Sequence, residues 1–84
     1  MDYYKIGQRI RKFRKANNLS QEQLAEKIGV TRQAISNWER GTATPDVETL
    51  NLIAKLFDTD LLAIINGESN EQEKAKDTDR KSVV

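Results

Sequence analysis

Arg32, Gln33, Ser36, Asn37 and Arg40 share one side of a short predicted helix. Rotation of about 100° per residue puts Ala34, Ile35 and Trp38 on the other. The polar side offers guanidinium donors, amides and a hydroxyl, and it carries no carboxylate. Such a set can read base edges in a major groove, where Arg pairs with guanine and Gln or Asn with adenine. The plain alternative is a solvated polar face, which most surface helices have. The segment ahead of this helix decides between them.

Other chemistries are poorly provided for. The 84 residues include no Cys and no His. Disulfides, thiolate metal sites, thiol nucleophiles and Ser-His or Cys-His constellations are therefore excluded. No base–nucleophile spacing or phosphate loop stands out, so neither enzymatic activity nor a metal or other cofactor is expected. The longest apolar run, Leu61 to Ile65, is far too short to span a bilayer. Met1-Asp2-Tyr3-Tyr4-Lys5 lacks the apolar segment of a secretory signal, and a cytoplasmic location is the default expectation.

Hydrophobic periodicity runs from about residue 5 to 66 and predicts an all-α fold of five short helices, with no strand pattern and no repeat. The first spans about Tyr3 to Ala16, with Ile6, Ile10 and Phe13 on one stripe, and Asn17-Asn18 stops it. The second starts at Ser20, followed by Gln23 in a capping-box pattern, turns Leu24, Ala25 and Ile28 inward, and ends at Gly29. The third is capped by Thr31 and runs to about Glu39, with Gly41 as its stop. Pro45 punctuates a loop; Asp46, or alternatively Thr44, caps the fourth helix. That helix runs to about Phe57 and buries Val47, Leu50, Ile53, Ala54 and Phe57. Asp60 caps the fifth, Leu61 to about Asn66, which Gly67 ends. Residues 1–66 are read as one domain and 67–84 as a flexible charged tail or linker, because Ala75, Val83 and Val84 are the tail's only apolar residues.

Two helices of about eight residues joined by Gly29-Val30-Thr31 form a helix-turn-helix pattern. With that turn ahead of it, the polar face of the third helix reads as a DNA surface.

The sequence resembles the lambda-repressor-like, Cro-type helix-turn-helix family. The resemblance rests on Ile6-Gly7-Gln8-Arg9-Ile10-Arg11, on Leu19-Ser20-Gln21-Glu22-Gln23-Leu24-Ala25, and on the run from Ile28 through Trp38-Glu39-Arg40-Gly41. Pro45-Asp46-Val47-Glu48-Thr49-Leu50 extends it, so that about residues 6 to 66 are covered. It implies a compact five-helix DNA-binding domain, usually of a transcriptional repressor or regulator. The positions matching base-reading residues are Thr31, Arg32, Gln33, Ser36 and Asn37. Gln21 matches a phosphate-binding Gln, and Arg40, Thr42 and Thr44 match backbone-contacting positions. Many members carry Lys or Arg where this chain has Thr42-Ala43-Thr44. Family members often pair the positions of Arg14 and Glu39. A partly buried ion pair between them would fix the first helix against the third; two solvated charges are the alternative.

Trp38 lies with Ala34 and Ile35 and reads as core rather than as a base-stacking residue. Arg9, Arg11, Lys12 and Lys15 read as a solvated basic face. The fifth helix is apolar all round, and family members more often place polar residues where Leu62 and Ala63 stand. Leu62, Ala63 and Ile65 are therefore expected to form a homodimer interface, which would suit a palindromic double-stranded operator; a tail folded back over them is the alternative. A different class of function stays open: a protein-interaction module, such as an antitoxin or adaptor, using the apolar fifth helix and the tail. The formal charge of +1 conceals a division: residues 1–45 carry a net +5 and residues 46–84 a net −4. The half containing the helix-turn-helix is the basic one.

Overall fold

Each helix begins at a residue whose side-chain oxygen accepts a backbone N–H of the first turn. The computed structural model describes residues 2–67 and contains α1 (Tyr3–Ala16), α2 (Gln21–Ile28), α3 (Arg32–Arg40), α4 (Val47–Leu56) and α5 (Leu61–Ile65). Asp2, Ser20, Thr31, Asp46 and Asp60 are the five caps. At Ser20 the capping box is complete: Gln23 N–H donates to Ser20 Oγ at 3.0 Å, and Ser20 N–H donates to Gln23 Oε1 at 2.8 Å. Each cap contributes about 1 kcal/mol, a useful increment in helices as short as these. The fourth cap is Asp46, and Thr44 has no part in it.

The caps fix where the helices start, and burial of one stripe on each fixes how they pack. Ile6 and Ile10 of α1, Leu24 of α2, Ile35 of α3, Leu50 and Ile53 of α4 and Ile64 of α5 are fully buried together. Trp38 joins this core, and Phe13 stacks on Phe57 with ring centroids 5.6 Å apart. Gly29 turns the chain between α2 and α3 with φ +76°, a left-handed conformation that L side chains rarely adopt. Its N–H and that of Val30 both return to Ala25 O, so the turn satisfies its own backbone.

Two expectations about burial need correction. Val47 is 60% exposed rather than buried. It is the first residue of α4, and helical side chains lean toward the N-terminus, so Val47 leans past the helix end into solvent. Ala63 is buried, leaving Leu62 and the half-buried Ile65 as the open part of α5. The core-facing side of α5 is set by Ile64, and Ala63 is small enough to be covered with it. The expected tail over 67–84 lies, apart from Gly67, outside the described residues.

Candidate nucleic-acid interface

α3 is held from behind. Ile35 and Trp38 anchor its inner side in the core, and Glu39, the last turn's carboxylate, is drawn inward. Arg14 Nε donates to Glu39 Oε2 at 2.7 Å and Arg14 Nη2 to Glu39 Oε1 at 3.0 Å, with both side chains buried. The third nitrogen, Nη1, donates to Leu19 O at 2.8 Å at the start of the segment leading into α2. One guanidinium therefore ties α1 to α3 and to the entrance of α2. This planar, bidentate geometry is the strong form of the Arg–carboxylate pair.

With Glu39 neutralised, the outer side of α3 carries no free carboxylate. Arg32 and Gln33 are exposed, and Ser36 and Asn37 are half-buried beside them. Gln33 Nε2 donates to Asn37 Oδ1 at 3.2 Å; Arg40 donates to Ser36 Oγ at 3.0 Å and to Asn37 Oδ1 at 2.5 Å. These bonds align the four side chains in one row. Arg32 makes no hydrogen bond to another described residue, so its five N–H donors face solvent. Thr31 is exposed, and its Oγ1 accepts from Ala34 N–H as the α3 cap.

An open cleft of about 670 Å³ lies where α1, the start of α2 and α3 meet, with Arg11, Lys15, Gln21, Ser36 and Arg40 among its walls. Gln21 donates one amide N–H to Glu39 Oε1 at 3.1 Å. This bond fixes the side chain and leaves the second amide hydrogen available. Gln21 is also the first residue of α2, where backbone N–H groups have no intrahelical acceptor and the helix dipole favours an anion.

Two of the expected phosphate-contacting residues are placed differently. Thr42 Oγ1 donates to Asn37 O at 3.1 Å, so its hydroxyl hydrogen closes the end of α3. Thr44 Oγ1 is buried and has no hydrogen-bond partner among the described residues, so it is not presented to a ligand. Thr44 as a residue is half-buried, beside the buried Pro45, with its hydroxyl oxygen turned inward.

Other residues support the site without having stood out in the sequence. A Cβ at Gly7 would fall 1.7 Å from Trp38 O, so α1 and α3 meet backbone to backbone. Gln8 Nε2 donates to Glu39 O at 2.9 Å at the same crossing. Arg9 is not simply part of a solvated basic face. Its Nη1 donates to Ile65 O at 2.6 Å and to Ile64 O at 3.1 Å, closing the end of α5. The available signal was that α5 has no basic residue in its own last turn, leaving its terminal carbonyls in need of a donor.

The fold agrees with that of similar proteins. A family defined as helix-turn-helix matches residues 10–69, most of the chain. The solved P22 c2 repressor, in complex with a synthetic operator, superposes with a TM-score of 0.71 at 33% identity, over 75% of this chain and 96% of that one. The chain belongs to the lambda-repressor-like helix-turn-helix family. Two members of known name are the HTH-type transcriptional activator BcrR of Enterococcus faecalis and the control protein C.SmaI of Serratia marcescens. BcrR is 40% identical over 63 residues, covering 75% of this chain and 31% of its own length. C.SmaI is 38% identical over 69 residues, covering 80% of this chain and 82% of its own. The chain thus spans less than a third of BcrR and most of C.SmaI. Within the helix-turn-helix, α2 and α3 are the paired helices, and α1 clamps α3 through Gly7, Gln8 and Arg14. No described helix is long and apolar enough to cross a membrane.

Proposed function

We propose that this chain is a sequence-specific, double-stranded-DNA-binding transcriptional regulator that lays α3 in the major groove. The observation that carries the reading is the outer face with Arg32, Gln33, Ser36 and Asn37 on a helix whose one carboxylate is buried and paired. Arg32 and Gln33 supply the main base discrimination, at about 1–3 kcal/mol for each good bidentate contact. Thr31, Ser36 and Asn37 complete the reading surface. Gln21 and Arg40 contact phosphate and set the register; both line the open cleft at the N-terminus of α2, where free backbone N–H groups favour an anion, which supports this role. Occupying a promoter in this way represses transcription without requiring any other part.

The same proposal includes a homodimer through Leu62 and Ile65, with Ala63 beneath them. Leu62 is 45% exposed on a helix that is otherwise apolar. Two copies would place their α3 helices in successive major grooves about 34 Å apart, which calls for a palindromic operator. Binding of the chain to duplex DNA, followed by fluorescence anisotropy across a salt series, tests the electrostatic part. The affinity should fall linearly with the logarithm of salt concentration. Affinity that is absent at low salt would contradict the proposal.

A further inference from the structure

Gln33, Asn37 and Arg40 succeed one another along the outer side of α3 at spacings of four and three residues, where helical side chains meet. Their hydrogen bonds run in a direction that the groups themselves impose. Arginine carries N–H donors and no acceptor. The atom of Asn37 that meets Arg40 Nη2 is therefore its oxygen, Oδ1, at 2.5 Å. The same oxygen faces Gln33, so Gln33 must turn its NH2 group toward Asn37, and Nε2 donates at 3.2 Å. Ser36 Oγ accepts from Arg40 Nη1 at 3.0 Å and steadies the guanidinium. The other N–H groups of Arg40 remain for a phosphate.

This order decides what each amide shows to a base. Gln33 keeps a free Oε1 and one free N–H side by side, the pair that the N6 amine and N7 of adenine require. Turned the other way, its NH2 group would suit N7 and O6 of guanine, but its oxygen would then face the oxygen of Asn37. Asn37 is the opposite case. Its oxygen already accepts two hydrogen bonds within the row, so only its N–H groups are left, and these do not complete the adenine pattern. We infer that Arg40, acting through Asn37, fixes the orientation of the Gln33 amide and so makes Gln33 select adenine over guanine. Asn37 is then a positioning residue and not an adenine reader. The inference rests on the reading that α3 lies in the major groove. It also joins a backbone contact to a base contact, because a phosphate that holds Arg40 holds the row.

The test is selection of bound duplexes from a random pool by the full chain and by Gln33→Ala, Asn37→Leu, Asn37→Asp and Arg40→Met. The readout is the adenine-to-guanine ratio at the position whose preference Gln33→Ala abolishes. Comparison within each pool cancels any change in overall affinity. The parent should prefer adenine there by about 5- to 150-fold, the discrimination of a good bidentate contact. Asn37→Leu removes the acceptor and should cut the ratio about three- to tenfold, the worth of one hydrogen bond. Asn37→Asp keeps oxygens for both Arg40 and Gln33; it should bind every sequence more weakly and retain the parent ratio. Arg40→Met lies about two turns from Gln33. It should weaken binding overall and also cut the ratio, by about threefold. A merely structural role for Asn37 or Arg40 would weaken binding to all sequences alike and leave this ratio unmoved. A base other than adenine at that position overturns the inference. So does an Asn37→Leu or Arg40→Met chain with the parent ratio, or an Asn37→Asp chain as unselective as Asn37→Leu. If Gln33→Ala alters no position, the groove reading itself falls and the inference with it; in every other result that reading stands.

Discussion

Replacing Arg14 by Met tests whether the clamp behind α3 is a structural requirement. The substitution keeps much of the side chain's length and apolar stem, and it removes three hydrogen bonds. Two of these go to Glu39 and one to Leu19 O. Glu39 would remain buried with only the Gln21 amide on its carboxylate and Arg11 Nε at 4.0 Å, the latter from an exposed side chain. Removing one partner of a buried pair costs about 3–5 kcal/mol. A domain of this size has about 3–10 kcal/mol in total. At about 4–8 °C per kcal/mol, the thermal midpoint should fall by about 12 °C or more. Glu39→Gln keeps an oxygen that accepts from Arg14 and should cost less, about 1.5–3 kcal/mol. The double variant Arg14→Met/Glu39→Met leaves no buried charge and should be no less stable than Arg14→Met alone. Circular-dichroism melts at neutral pH measure all three. Midpoints unchanged in both single variants would refute the reasoning, because the pair would then contribute nothing to holding α1 on α3.

Gly7→Ala should lower the melting midpoint although Ala is the better helix former. The propensity gain of about 1 kcal/mol is outweighed by a Cβ placed 1.7 Å from Trp38 O, which must push α1 off α3 at a cost of about 1–3 kcal/mol or more. A midpoint at or above the parent's would show that the crossing relaxes freely. Hydrogen bonds from the Thr49 hydroxyl, and after it the Thr49 backbone N–H, hold the Asp46 carboxyl below its ordinary value of 3.8. The cap's charged-state contribution is then present above that value and lost as pH falls through the lower folded one. Asp46→Asn should therefore flatten the acid limb of stability below about pH 4, as read by urea melts across pH. Gln21→Ala should weaken binding to every DNA sequence about equally and leave the preferred sequence unchanged, which anisotropy on two unrelated duplexes checks.

The parts of this structure legible in the sequence were those governed by local rules. Ser20, Thr31 and Asp60 show their roles as caps because a capping side chain bonds within its own first turn. The helix-turn-helix shows itself because Gly29 supplies a conformation that few other residues can. The polar face of α3 follows from rotation alone. The Arg14–Glu39 pair, a contact across the chain, follows from the family resemblance and not from any local rule. Other contacts made at a distance could not be read. Arg9 closes α5 across more than fifty residues of chain, and nothing next to it signals that partner. Gly7 is a simple loss of helix propensity until the Trp38 carbonyl is seen against it. Thr42 and Thr44 look alike in sequence, yet one closes α3 and the other turns its hydroxyl oxygen inward. Val47 fits the apolar stripe of α4 by periodicity, but periodicity takes no account of where the helix begins.

The central claim is that the outer face of α3 reads bases. Selection of bound duplexes from a random DNA pool, run in parallel with the parent chain and Gln33→Ala, tests it most directly. A palindromic consensus is predicted for the parent, and the variant should lose preference at matching positions in both half-sites while keeping the rest. If neither chain enriches any sequence, or if both enrich the same one with the same preference at every position, α3 does not read DNA as described.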